Sequence, residues 1–173
     1  MTTKSVQPYT AQRLTLRSSI SFSSAKAKFE KLTNRAGNEG APALEVSGIT
    51  PEGFERATEA TLGERGFKYF ASYPHSTWFK LFSPRPVPQS ITYVLGNPLI
   101  ARTMLTHDLR AGLCVPVRVI LLQEEGGSAF VWDEPSSIIA LDGCGGAEKR
   151  ELREAARKLD EKLEKLLRDV LEV

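Results

Sequence analysis

The sequence predicts an α+β fold: a two-layer sandwich with an antiparallel-rich sheet, helices on one face and a long C-terminal helix. Three observations carry this. Short β-prone segments recur in hairpin-like pairs, strong helix starts stand between them, and the last segment repeats apolar residues at alternating steps of four and three. The order of elements reads strand, helix, helix, strand, strand, short helix, strand, strand, long helix.

Residues 1 to 10 are polar and loose. Arg13-Leu-Thr-Leu-Arg17 alternates polar and apolar, as a half-buried strand does. Ser23 or Ser24 caps a helix whose apolar face is Ala25, Phe29 and Leu32. The turn-rich stretch from Asn34 to Pro42 reads as a loop. Thr50-Pro51-Glu52 starts a helix: Thr accepts from orphan N–H groups, Pro fits the first position and Glu complements the dipole. Phe54, Ala57, Thr58 and Leu62 share its face, and Gly66 is the expected stop.

Phe67 to Tyr73 reads as an aromatic-rich strand. Pro84, Pro86 and Pro88 make the segment Ser83–Gln89 a stiff loop. Ser90 to Leu95 is the next strand. Asn97 caps, and Pro98 opens, a short helix over Leu99 to Thr106. Val115 to Leu122 and Ala129 to Trp132 form a hairpin around Glu125-Gly-Gly127. Asp142-Gly-Cys-Gly-Gly146 reads as a hinge. From Ala147 onward, Leu152, Ala156, Leu159, Leu163, Leu166 and Val170 make an a/d seam of about three heptads. Residues 1–146 are thus expected to form a single α+β domain. Helix 147–173 packs on it or at a dimer interface.

The 173 residues are 41% apolar and 25% charged, which is ordinary globular composition and argues against disorder. A net charge of +2, spread along the chain, argues against a nucleic-acid or membrane-surface protein. No apolar run is long enough for a membrane span, and the start lacks the apolar core of a secretory signal, so the expectation is a soluble cytoplasmic protein. Two cysteines make neither a disulfide framework nor a zinc set.

The segment Leu95–Arg118, with Gly96-Asn97-Pro98, His107-Asp108 and Val115-Pro116-Val117, resembles the domain-of-unknown-function family 302, particularly its fungal branch. Gly66-Phe67 with Tyr73-Pro74-His75, and Pro135 to Ile139, are similar to further parts of that family. The resemblance covers about Phe54 to Ala140, with a weaker match over Arg13 to Leu32 and the long helix outside the core pattern. It implies a compact α+β fold seen as dimers and no established activity.

The chemistry rests on few residues. His75 and His107 are the two histidines, and each can move protons near neutral pH. His75 leaves a strand beside Trp78 and Phe79, which can wall an apolar site; equally, it can bond loop backbone beside packing aromatics. His107-Asp108 ends the short helix, either as a local cap or as a proton-transfer pair. Asn97 is a cap or a carbonyl-holding amide. Arg118 interrupts an apolar strand, facing inward to bind an anion or simply outward. Trp132 can shape a cavity. No metal spacing such as HExxH or CxxC occurs, and no cofactor motif is complete. Cys114 reads as a small buried hydrophobe and Cys144 as the more exposed thiol. Lys80, Arg85 and Arg102 do not form a nucleic-acid stripe.

The resulting expectation is a protein acting on a small apolar molecule. In one reading His75, His107 and Asp108 perform cofactor-independent isomerisation, cyclisation or dehydration in secondary metabolism, with Trp78, Phe79, Asn97, Arg118 and Trp132 binding the substrate. In the other the domain binds a small molecule, or a partner, without chemistry. The resemblance and the apolar C-terminal stripe both point to a homodimer.

Overall fold

Five segments build the sheet, four by alternation of buried and exposed residues and one, Lys68–Tyr73, with a register shift between Tyr69 and Ala71. They are β1 (Arg13–Ser18), β2 (Lys68–Tyr73), β3 (Ser90–Gly96), β4 (Val117–Glu124) and β5 (Gly127–Asp133). All neighbours are antiparallel, in the order β1-β5-β4-β3-β2. One face carries Leu16, Phe130, Leu121, Tyr93 and their neighbours into the core. The other presents a register-matched row of Thr15, Val131, Ile120, Thr92 and Tyr73. The computed structural model describes residues 2–40, 46, 48–141 and 147–173. Cys144 and the hinge read at Asp142–Gly146 lie outside them.

Glu125 and Gly126 turn β4 into β5, with Gly126 at φ +77°. The next residue needs glycine for another reason. A Cβ on Gly127 would lie 2.0 Å from the Ser18 carbonyl oxygen, so β1 approaches β5 only because that side chain is missing.

The helices follow their amphipathic stripes onto the core face. They are α1 (Phe22–Leu32), α2 (Arg35–Asn38), α3 (Pro51–Glu59), α4 (His75–Phe79), α5 (Pro98–Leu105), α6 (Pro135–Ile139) and α7 (Ala147–Leu171). In α1, Ala25, Phe29 and Leu32 are buried as expected, joined by Phe22. Its cap is Ser21, not Ser23 or Ser24: the Ser21 hydroxyl accepts from the Ser24 N–H, and Ser24 already lies in the first turn. α2 occupies part of the expected loop. Its turn is held from outside, by Asn38 Nδ2 donating to the carbonyls of Asn34 and Thr61. α3 is capped by Thr50 as expected but ends at Glu59, well before Gly66. The chain there closes on the end of α1, where a Gly63 Cβ would lie 2.0 Å from the Leu32 carbonyl oxygen.

All six seam residues of α7 are buried within the chain, and Leu167 and Leu171 extend the stripe. Lys28–Glu172 and Arg65–Asp169 pairs tie down its C-terminal end. The stripe is therefore covered in cis by the chain's own core. A part-buried polar knot ties α1 to the sheet: Tyr93 donates to Glu30, which also receives Arg35 and Lys26.

One short helix departs from the single helical layer. α4 lies against the opposite face of the sheet, where His75 Nε2 and Thr92 Oγ1 are 3.0 Å apart and Ser76 Oγ accepts from the Ser90 N–H.

Candidate apolar binding site

At the end of the sheet where β3 leaves and β4 enters, the chain forms a cavity of about 580 Å³. Its walls come from distant parts of the sequence. Phe54 of α3 and Phe70 of β2 stand on one side; Ile100, Met104 and Leu105 of α5 stand on another. Val115, Pro116 and Val117 line the approach to β4, and Leu159 of α7 closes the inner end. The Val115–Pro116 peptide is cis. Gly96 keeps the space open: a Cβ there would sit 3.3 Å from Pro116 Cβ and 3.4 Å from the Phe70 ring.

The polar groups on this wall are already engaged. Asn97 Oδ1 accepts from the Leu99 N–H at 2.9 Å, and Nδ2 donates to the Gly66 carbonyl at 3.1 Å. This is the cap that Asn-Pro predicts, with a second bond tying α5 to the turn before β2. Thr106 Oγ1 bonds the Arg102 carbonyl, and Arg102 pairs with Glu55 across the mouth at 2.7 Å. No histidine, cysteine or carboxylate is among the described lining residues. The wall can select by shape and apolarity, and its described side chains offer no proton-transfer group.

The residues singled out from sequence do not converge here, Asn97 excepted. His75 lies on the open face of the sheet, bonded to Thr92. His107 lies in the helical layer, its Nδ1 3.5 Å from Glu151 of α7, beside a groove lined by Lys158 and Lys162. The two imidazoles therefore occupy opposite sides of the sheet. Asp108 caps the 3-10 helix Leu109–Leu113 and is bonded by Arg110, two residues on, rather than by His107. Trp78 and Phe79 are exposed and wall none of the cavities described here. Arg118 faces outward on β4; its charge and the Arg13 guanidinium hold the Asp133 carboxyl below its ordinary range, with the Arg13 hydrogen bond the larger cause. Trp132 is a core residue paired across from Leu14 and Val119.

Cys114 follows the 3-10 helix just before the cavity's Val115. Burial pushes its thiol up, and Sγ donates to the Ile138 carbonyl at 3.4 Å, so it is a neutral packing group, half-buried rather than fully buried. Among the described residues no cluster of three His, Cys, Asp or Glu is placed to hold a metal. No described helix is long and apolar enough to cross a membrane. A second, polar depression of about 660 Å³ lies between the N-terminal segment and α7. In it Asp160 accepts from the Ser136 N–H, and burial pushes its carboxyl up.

The fold and this cavity define an α+β two-layer protein with an apolar recess at one end of an antiparallel sheet. Residues 43–170 match the family described as Domain of unknown function DUF302, and the chain belongs to that family. The match starts ahead of the expected Phe54 and runs through α7 to residue 170, so the long helix, expected outside the family pattern, lies within it, whereas β1 and α1 precede it. The structure is similar to the crystal structure of an uncharacterized conserved DUF302 protein from Bacillus stearothermophilus. The TM-score is 0.63 at 14% identity, over 92% of this chain and 97% of that one, a likeness of fold. No curated protein matches the chain.

Proposed function

We propose that this protein binds a small apolar molecule in the cavity between α3, α5 and the start of β4, without performing chemistry on it. The observation that carries this reading is the wall itself: its apolar side chains come from five elements, and its polar groups already have partners. An acid/base enzyme built on His75, His107 and Asp108 draws no support from their placement. A homodimer now rests on the family resemblance alone, because α7 is covered within the chain. The fungal-branch assignment rests on the Leu95–Arg118 segment.

The test fills the cavity. Ala101 lines it and is half-buried on α5. Titration with N-phenyl-1-naphthylamine, a neutral dye that brightens in apolar surroundings, should saturate at one site per wild-type chain. Ala101→Trp should weaken that binding at least ~tenfold while unfolding near the wild-type temperature. Equal dye binding by both proteins rejects the cavity. Turnover of a host metabolite by wild type, lost in His75→Ala His107→Ala, restores the enzyme.

A further inference from the structure

The open face of the sheet ends in a protrusion that the cavity does not explain. Trp78, Phe79, Leu81 and Phe82 are 54%, 47%, 75% and 75% exposed. They form one patch: the Trp78 ring meets Phe79 at 5.9 Å and Phe82 at 6.4 Å between centroids, edge to face. Large apolar side chains this exposed and this close together are uncommon on a protein that meets only water.

Along the chain, the charge flanking them has one sign. Residues 65–107 contain no Asp or Glu, and Lys80 and Arg85 flank the aromatic side chains. Both cations are exposed, and neither has an ion-pair partner among the described residues. The patch lines none of the cavities described above, and the proline-rich stretch after Phe82 stiffens its far side. A second copy of the chain meeting this patch about a two-fold axis would set Lys80 and Arg85 against their own equivalents. A deformable anionic surface meets both requirements: it takes the aromatic and leucine side chains below its headgroups, and the two cations among them.

We infer that the segment Trp78–Arg85 docks the protein on an anionic lipid surface. The apolar side chains enter the headgroup boundary, and Lys80 and Arg85 pair with lipid phosphates and carboxylates. This stands on observations separate from the cavity and holds whether or not the cavity binds a ligand.

The experiment is co-flotation of the full chain with vesicles of phosphatidylcholine alone or with about 30% phosphatidylserine. Wild type should float with the anionic vesicles, less at high salt and little with the neutral ones. Leu81→Asp Phe82→Asp changes only exposed positions and should weaken binding by about a hundredfold; Lys80→Glu Arg85→Glu should weaken it by about tenfold. Brominated acyl chains should quench wild-type fluorescence and leave Trp78→Phe, which retains buried Trp132, unquenched. Failure of wild type to float, or equal flotation by the variants, overturns the proposal. So does a wild-type dimer that Leu81→Asp Phe82→Asp converts to monomer, since the patch then belongs to a subunit interface.

Discussion

Two apolar stretches of this chain meet opposite fates. In α7 the residues Leu159, Leu163, Leu166 and Val170 are buried against the sheet; in and after α4, Trp78, Phe79, Leu81 and Phe82 stand in solvent. Neither stretch is more apolar in any way that explains this. Spacing does. The named α7 residues repeat over about three turns of one continuous helix, so they form a stripe that the core can cover. The Trp78–Phe82 side chains cluster at the end of a five-residue helix, too short to lay a stripe along the sheet, so they gather into one exposed patch. Burial here follows geometry more than composition.

The sharpest way to test the contrast is to truncate one residue of each kind. Leu163→Ala removes a fully buried side chain and should cost about 2–5 kcal/mol in denaturant unfolding. A loss under about 1 kcal/mol would mean that α7 is loosely seated. Next, Gly127→Ala tests how tightly the sheet closes, because its Cβ must displace the Ser18 carbonyl. It should cost about 1–3 kcal/mol and loosen β1 first, read by hydrogen exchange in residues 13–18.

Two carboxylates in the helical layer give effects of opposite sign with pH. Burial pushes Glu30 up, but the hydrogen bonds from Tyr93, Arg35 and Lys26 outweigh it and leave its carboxyl below the ordinary range. Its stabilisation is present above the ordinary Glu pKa and is lost as pH falls through the lowered value. Asp160 is the reverse. Burial raises it, so its favourable contribution is present below the ordinary Asp pKa and is lost as pH rises through the raised value. Asp160→Asn should therefore raise the melting temperature at pH 7 and change it little at pH 3, with Asn still accepting from Ser136. Equal effects at both pH values would remove the titration as the cause. Smallest of all, Leu81→Ala should alter stability by less than about 0.5 kcal/mol, since it uncovers nothing. A larger loss would show that the protrusion packs on the sheet.

How much of this was legible depended on the length of the pattern. The α7 seam and the alternation in β1, β3, β4 and β5 each repeat a period, and the structure follows them. α2, α4 and α6 have five residues or fewer, too short to form by propensity; contacts such as Asn38 with Thr61 and His75 with Thr92 accompany the first two. The cap at Asn97-Pro98 was readable because its partners lie one turn away. The cavity was not, because Phe54, Phe70, Pro116 and Leu159 meet only through the tertiary fold. His75 and His107 stood out by residue type, and type alone carries no information about which side of a sheet a side chain reaches.

The placement of β1 sets an order in time. Strands β2 to β5 pair with their neighbours in sequence, whereas Arg13 of β1 bonds Asp133, 120 residues away. A ribosome releases β1 before the other described strands and its partner β5 much later. The N-terminal strand must therefore wait, unpaired, until β5 has emerged, and closing that long loop is the late step of sheet assembly. Between the emergence of β5 and that closure, Phe130 and Trp132 lack the strand that flanks them, and the chain carries an open sheet edge.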